Sequence, residues 1–198
     1  MLTIALICAS YFVSLAFSDC TIPPIYLDIH ARDVEGTNNA LSYGAYINVG
    51  SPIQQLSLWP SLDINETTLA DTKFCSSQSC SASSAHGLFD PTKSTSFKNN
   101  PPQNLDNTST LTNSVSTLSE SGTDILHLWS ELVSNTNASA TNLTSFPLQL
   151  LTNYTSPSDP FFGPAGLIGL GPSSSLLTTL FKAGKIPSLS YGLFLGSA

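Results

Sequence analysis

The stretch LSYGAYINVGSPIQQLSLW, residues 41–59, constrains the fold more than any other part of the chain. Apolar and polar side chains alternate on both sides of Gly50-Ser51-Pro52, and a period of two sends successive side chains to opposite faces of a strand. One face is apolar and the break between the runs carries turn residues. The segment is therefore expected to form a β-hairpin with one buried face.

Other segments repeat this logic with less force. SFPLQLLT (145–152) reads as a strand, and SLSYGLFLG (188–196) as a last one. AGLIGLG (165–171) is apolar and glycine-spaced, the pattern of a strand in close backbone contact with a neighbour. DILHLWSELV (124–133) fits a strand or a short helix, because period alone does not separate them over ten residues. PSSSLLTTLFKAGKI (172–186) is the one clear helix: Pro172 and the serines mark its start, leucines and Phe181 line a face, and Gly184 closes it. Residues 71–100 are loop-rich, with a turn at Asp90-Pro91. Residues 101–123 are polar, fitting a long loop or weak surface strands. The sum is a mainly β chain with one short helix.

Charge narrows the function classes. The chain has a net charge of −7 with only 10% charged residues, so its sign reflects a shortage of Lys and Arg. There is no basic patch for a phosphate backbone, which excludes nucleic acid as an expected partner. Residues 2–17 are an apolar run followed by Ala16-Phe17-Ser18, small residues of the kind a signal peptidase reads. Residues 1–18 are accordingly expected to be a secretory signal, leaving no membrane anchor once removed. Residues 19–39 would be an N-terminal extension and 40–198 the folded unit. A secreted, extracellular or cell-wall-associated location follows.

Secretion decides how the cysteines are read. Cys75 and Cys80 are expected to bridge in an oxidising compartment, closing a short loop, and Cys20 is left for a partner outside this set. A zinc site built on Cys75, Cys80 and His86 lacks a fourth ligand at sensible spacing, so no metal and no cofactor are expected. Sequons at Asn65, Asn107, Asn137, Asn142 and Asn153 are expected to be surface positions carrying glycans.

Four motifs in order resemble the N-terminal lobe of pepsin-like (family A1) aspartic peptidases, in particular the fungal branch. YGAYINVGSPIQQ is similar to the family's Tyr-…-Gly-Thr-Pro-Pro-Gln hairpin, and the small Cys75–Cys80 loop follows it. LFDPTKSTSFK looks like the family's Phe-…-Pro-…-Ser-Ser-Thr segment. GLIGLGPSSSLLTTLFKAGKIPSLSYGLFLG is similar to its Gly-hydrophobic-hydrophobic-Gly-Leu-Gly strand, helix and following strand. The resemblance covers roughly residues 40–196 and implies an acid-protease N-terminal lobe, one half of a bilobal fold whose second lobe is absent from this sequence.

Such enzymes need two carboxylates, one from each lobe, sharing a proton. Following the family's spacing from Gly50 puts Ser61 at the catalytic Asp position, Leu62 at the Thr and Asp63 at the Gly. A serine hydroxyl cannot serve as half of a carboxylate dyad. Asp63 could take the role only with a two-residue insertion, and Asp-Ile-Asn would then stand for Asp-Thr-Gly. The family's flap tyrosine is also missing from NSVSTLSESGTDILHLW, where Trp129 is expected to be a core or strand residue. Other chemistries lack support: Ser61 is not in a Gly-x-Ser-x-Gly elbow, and His30, His86 and His127 show no triad spacing.

The expected function is that of a secreted, glycosylated, catalytically inactive relative of these peptidases that retains binding of an extended peptide. Two alternatives stand beside it. One is an active endopeptidase using Asp63 with a partner lobe or in a homodimer. The other is a structural or wall-associated glycoprotein, or a truncated gene product.

Overall fold

The computed structural model describes residues 25–27, 29–33, 41–72, 87–100, 119–128, 141–152 and 165–193. Within them lie eight strands and one helix: β1 (Ile29–Asp33), β2 (Leu41–Val49), β3 (Gln54–Ser61), β4 (Thr68–Ala70), β5 (Lys98–Asn99), β6 (Ser119–Leu128), β7 (Thr141–Leu151), β8 (Gly166–Gly169) and α1 (Ser175–Lys182). The chain is mainly β with one short helix, as its pattern implied. The expected signal, Cys20, Cys75, Cys80, His86, Trp129 and the sequons at Asn107, Asn137 and Asn153 lie outside the described residues.

The hairpin forms where the alternation places it. β2 and β3 pair antiparallel from Ala45↔Leu58 to Val49↔Gln54, and Ala45, Ile47, Val49, Leu56 and Leu58 are each at most 1% exposed. Gly50 begins the turn at φ 85°. A Cβ there would come within 2.7 Å of the Ser94 hydroxyl, so both backbone angle and space select glycine.

The sheet runs β1-β2-β3-β8-β4-β7-β6-β5, and an additional β2–β6 pairing closes the middle six strands into a barrel. Closure uses Asn48↔His127 and Val49↔Leu126, extended by the Gly50 N–H donating to the Ile125 carbonyl at 2.9 Å. β8 lies between β3 and β4, parallel to the first and antiparallel to the second. A late segment is thus threaded between two strands that follow each other in sequence. Its glycines make this possible: a Cβ on Gly166 would overlap the Thr68 carbonyl, and one on Gly169 would lie 2.5 Å from the Asn65 backbone.

The barrel interior is a single apolar cluster that includes Leu58, Leu69, Phe89, Phe146, Leu150 and Ile168. Burying each such side chain contributes about 1.5–3 kcal/mol. On β7 the inward phase slips from Leu143 to Phe146, and the β6–β7 register shifts between Asp124 and Leu126. Ser145, at φ 57°, falls at this point. The extra residue makes a bulge that keeps apolar side chains inward on both sides of it. β7 therefore begins at Thr141, earlier than its most obvious apolar run. The 124–133 ambiguity resolves as strand, since β6 covers 119–128 and buries Leu126 and Leu128.

The helix is shorter than the sequence reading at both ends. Ser174 is its N-cap, its hydroxyl accepting from the Leu177 N–H at 3.3 Å. Leu176 and Leu180, one turn apart, are buried against the barrel, and Lys182 in the last turn is favourably placed for the helix dipole. The chain leaves the helix at Ala183 and Gly184.

One expectation needs correction. The pattern of 188–196 implies a final strand, but among the described residues 188–193 joins no strand and is exposed throughout. Its side-chain alternation is that of a strand, but its backbone bends at Ser188 and Leu189 and pairs with no strand among the described residues. Conversely, β1 pairs with β2 from Ile29↔Ala45 to Asp33↔Leu41, so the sheet reaches into residues 19–39.

Candidate functional site at the exit of β3

The residues singled out for chemistry sit where β3 leaves the barrel. β3 and β8 run side by side to Ser61↔Gly169, and the chain then turns through 62–67 before entering β4. Four hydrogen bonds clamp this loop to the strand–helix connection. The N–H groups of Leu170 and Gly171 donate to the carbonyls of Ser61 and Ile64, both at 2.8 Å, and Ser175 donates to Asn65 at 2.9 Å. Ser173 N–H donates to the Asn65 side-chain oxygen, also at 2.9 Å. Behind the clamp, the Ser174 hydroxyl, itself 2% exposed, donates to the Gly169 carbonyl at 2.5 Å. The loop is thus held by backbone groups and one carboxamide, with no carboxylate in the arrangement.

Ser61 is half-buried at the end of β3, and Asp63 is exposed. Among the described residues no hydrogen bond or ion pair reaches the Asp63 carboxylate. Among the described residues, neither donors aimed at it nor an acidic partner, the conditions that poise a catalytic carboxylate, is present there. Asn65 is half-buried with its oxygen engaged in the clamp, whereas Asn142 lies exposed on β7.

Two carboxylates among the described residues are buried, Asp71 and Asp124, and Asp124 has the fuller set of donors near the β2–β3 turn. Asp124 is 1% exposed and accepts three hydrogen bonds: Ser94 Oγ at 2.8 Å, Ser96 Oγ at 2.5 Å, and the N–H of Ile125 at 2.7 Å. Ser94 Oγ also accepts from the Ser51 N–H at 3.2 Å, and Thr95 N–H donates to the Ser51 carbonyl at 2.7 Å. This node ties the 94–96 loop to the β2–β3 turn and to β6. The sequence signal was available: Gly122, Asp124, Leu126 and Leu128 share the inward phase of β6, and a carboxylate in that phase must find donors or stay unburied.

Nearby, His127 bridges the same turn to β7. Its Nε2 is 3.1 Å from the Gly50 carbonyl oxygen, which can only accept, so Nε2 carries a proton. Its Nδ1 is 2.9 Å from the Asn142 carboxamide. His30 stacks on Tyr46 with ring centroids 3.9 Å apart, and its Nε2 lies 3.2 Å from Ser57 Oγ. Ser57 is only 2% exposed, so this pair offers no reachable nucleophile. Among the described residues no group of three or more His, Cys, Asp or Glu could hold a metal ion. No helix among them is long and apolar enough to cross a membrane.

No protein-family model and no curated protein matches this chain.

Proposed function

We propose that this chain is a secreted, glycosylated protein built like the N-terminal lobe of a pepsin-like aspartic peptidase, without that family's chemistry. One observation carries the non-catalytic half of this reading. β3 ends in Ser61, and the next carboxylate along the chain, Asp63, is exposed with no hydrogen-bond or ion-pair partner among the described residues. Activation of water by a carboxylate dyad requires two such groups close enough to share a proton.

The fold reading is supported by where the resembling motifs fall. YGAYINVGSPIQQ lies in β2, the turn and the start of β3. LFDPTKSTSFK supplies the Asp90–Lys93 turn and the serines on Asp124. GLIGLG is β8, threaded beside the β3 exit, and it leads directly into α1. What remains for such a scaffold is recognition of an extended peptide by strand-like contacts along the apolar surface near this loop. The expected result is that purified protein does not cleave denatured protein substrates between about pH 3 and 6. Cleavage that is abolished in Asp63→Asn but unchanged in Ser61→Ala would overturn the reading in favour of an enzyme working through Asp63.

A further inference from the structure

Two sequons fall on described residues, and the fold treats them differently. Asn142-Leu143-Thr144 lies on β7, where alternation turns Leu143 into the barrel and leaves Asn142 and Thr144 exposed on the outer face. The Asn142 Oδ1 is 2.9 Å from His127 Nδ1, so Nδ2, the atom that takes a glycan, sits on the other side of the carboxamide from that contact. β6 covers one edge of β7 here through Leu126↔Leu143 and His127↔Asn142. β4 pairs with the other edge only at 149–151, so beside 142–144 that edge has no strand partner among the described residues.

Asn65-Glu66-Thr67 has the opposite setting. Asn65 is half-buried, and its Oδ1 accepts from the Ser173 N–H at 2.9 Å. Its backbone lies so close to β8 that a Cβ on Gly169 would come within 2.5 Å of it. The Asn65 carbonyl accepts from Ser175 N–H at 2.9 Å, and the Thr67 carbonyl from Gln149 N–H at 3.0 Å. Thr67 is 2% exposed, and its hydroxyl is buried with no hydrogen-bond partner among the described residues. An acceptor sequon consists of that hydroxyl as much as of the asparagine.

We infer that folding closes the Asn65 sequon to glycan transfer, whereas Asn142 remains an acceptor on the completed barrel. The inference deepens the glycoprotein reading above and rests on it for its setting. In the transfer, Asn Nδ2 attacks the anomeric carbon of a polyprenyl-pyrophosphate-linked oligosaccharide. The N–C bond forms as the bond from that carbon to the pyrophosphate oxygen breaks, the pyrophosphate leaves with the electron pair, and Nδ2 gives up one proton to a base of the transferase.

At Asn142 both sequon side chains already point outward along an extended strand, so the enzyme can engage them without moving the barrel. At Asn65 it would have to draw Thr67 out, breaking the Gln149 and Ser175 bonds and lifting the loop off β8. A closed segment reacts only through its opened fraction. The groups that close it come late in the chain: Ser173 lies 108 residues after Asn65. The Asn65 sequon is therefore open while the chain emerges and shut once the loop docks on β8 and the start of α1.

The test is transfer to the folded protein. The full chain, made in bacteria so that it carries no glycan and shown to unfold cooperatively, is incubated with a single-subunit eukaryotic oligosaccharyltransferase and its lipid-pyrophosphate oligosaccharide. Synthetic peptides spanning residues 60–70 and 138–148 are treated alongside, and occupancy is read at each asparagine by mass spectrometry. Relative to its own peptide, Asn142 in the folded chain is expected to react at least about tenfold faster than Asn65. Asn65 reacting as fast in the folded chain as in its peptide overturns the inference, and so does protection of Asn142. Glycopeptide mapping of the chain secreted from a eukaryotic host tests the glycoprotein reading separately, because its failure would leave the folded-to-peptide ratios as they are.

Discussion

Two carboxylates at opposite ends of β3, roughly 25 Å apart for a strand of this length, show how differently this molecule treats the same functional group. At the hairpin end Asp124 is fully buried and surrounded by three donors that hold two loops to the barrel. At the exit end Asp63 is exposed in a loop that is clamped without its help. A charge can be kept inside a protein only where donors have been provided for it. At one end the chain provides that environment, and at the other, among the described residues, Asp63 has none of it.

The comparison fails most visibly if the two carboxylates prove equivalent when removed. Asp124→Ala strips three hydrogen bonds from a closed interior and takes the shared carboxylate acceptor from the Ser94 and Ser96 hydroxyls. It is expected to cost about 3–5 kcal/mol in urea unfolding. Asp63→Ala is expected to change stability by no more than about 0.5 kcal/mol. Comparable losses for the two would show that Asp63 has native interactions not accounted for here.

Two smaller effects sharpen the exit end. Gly169→Ala would push a methyl into the Asn65 backbone, and a loss of about 1–3 kcal/mol is expected from overpacking. Asn65→Ala removes the only side-chain acceptor in the clamp, expected at about 1 kcal/mol, since the three backbone bonds persist. A thermal-melt series of the two variants reads both. An unaffected melting temperature in Gly169→Ala would mean that β8 is not held against the 62–67 loop as described.

Much of the barrel was legible because its strands obey a period of two. The β2–β3 hairpin, the glycine-spaced β8 and the helix after it could all be read from local pattern. The bulge at Ser145 could not, since it follows from matching the inward phases of β6 and β7 across the sheet rather than from either strand alone. The 188–193 segment shows the opposite failure: its alternation is correct for a strand, but strand formation needs a neighbour. At the candidate site, Ser61 and Asp63 are marked by their spacing from Gly50, whereas the burial of Asp124 is written only in the alternating phase of β6, which no motif marks.

The smallest effect is a pH dependence at the Asp90 turn. Asp90 Oδ1 accepts from the Thr92 hydroxyl at 2.5 Å and from the Thr92 N–H at 3.1 Å, and Lys93 lies 3.1 Å from its other oxygen. The Thr92 hydroxyl first, then Lys93, hold this carboxyl below its ordinary value of 3.8. A depressed carboxylate contributes stability that is present above the unfolded value and lost as pH falls through the folded one. Stability should therefore dip slightly more steeply below about pH 3.8 in the native chain than in Asp90→Asn. Identical acid limbs in the two unfolding profiles would remove Asp90 from the account.

The most direct test of the central claim is calorimetric titration of the folded, purified chain with a pepstatin-type transition-state analogue at acidic pH. The proposed loss of carboxylate chemistry at the β3 exit predicts no heat of binding, from a sample whose cooperative unfolding shows it to be native. Tight binding that disappears in Asp63→Asn would contradict the claim, because it would mean that Asp63 completes a working dyad.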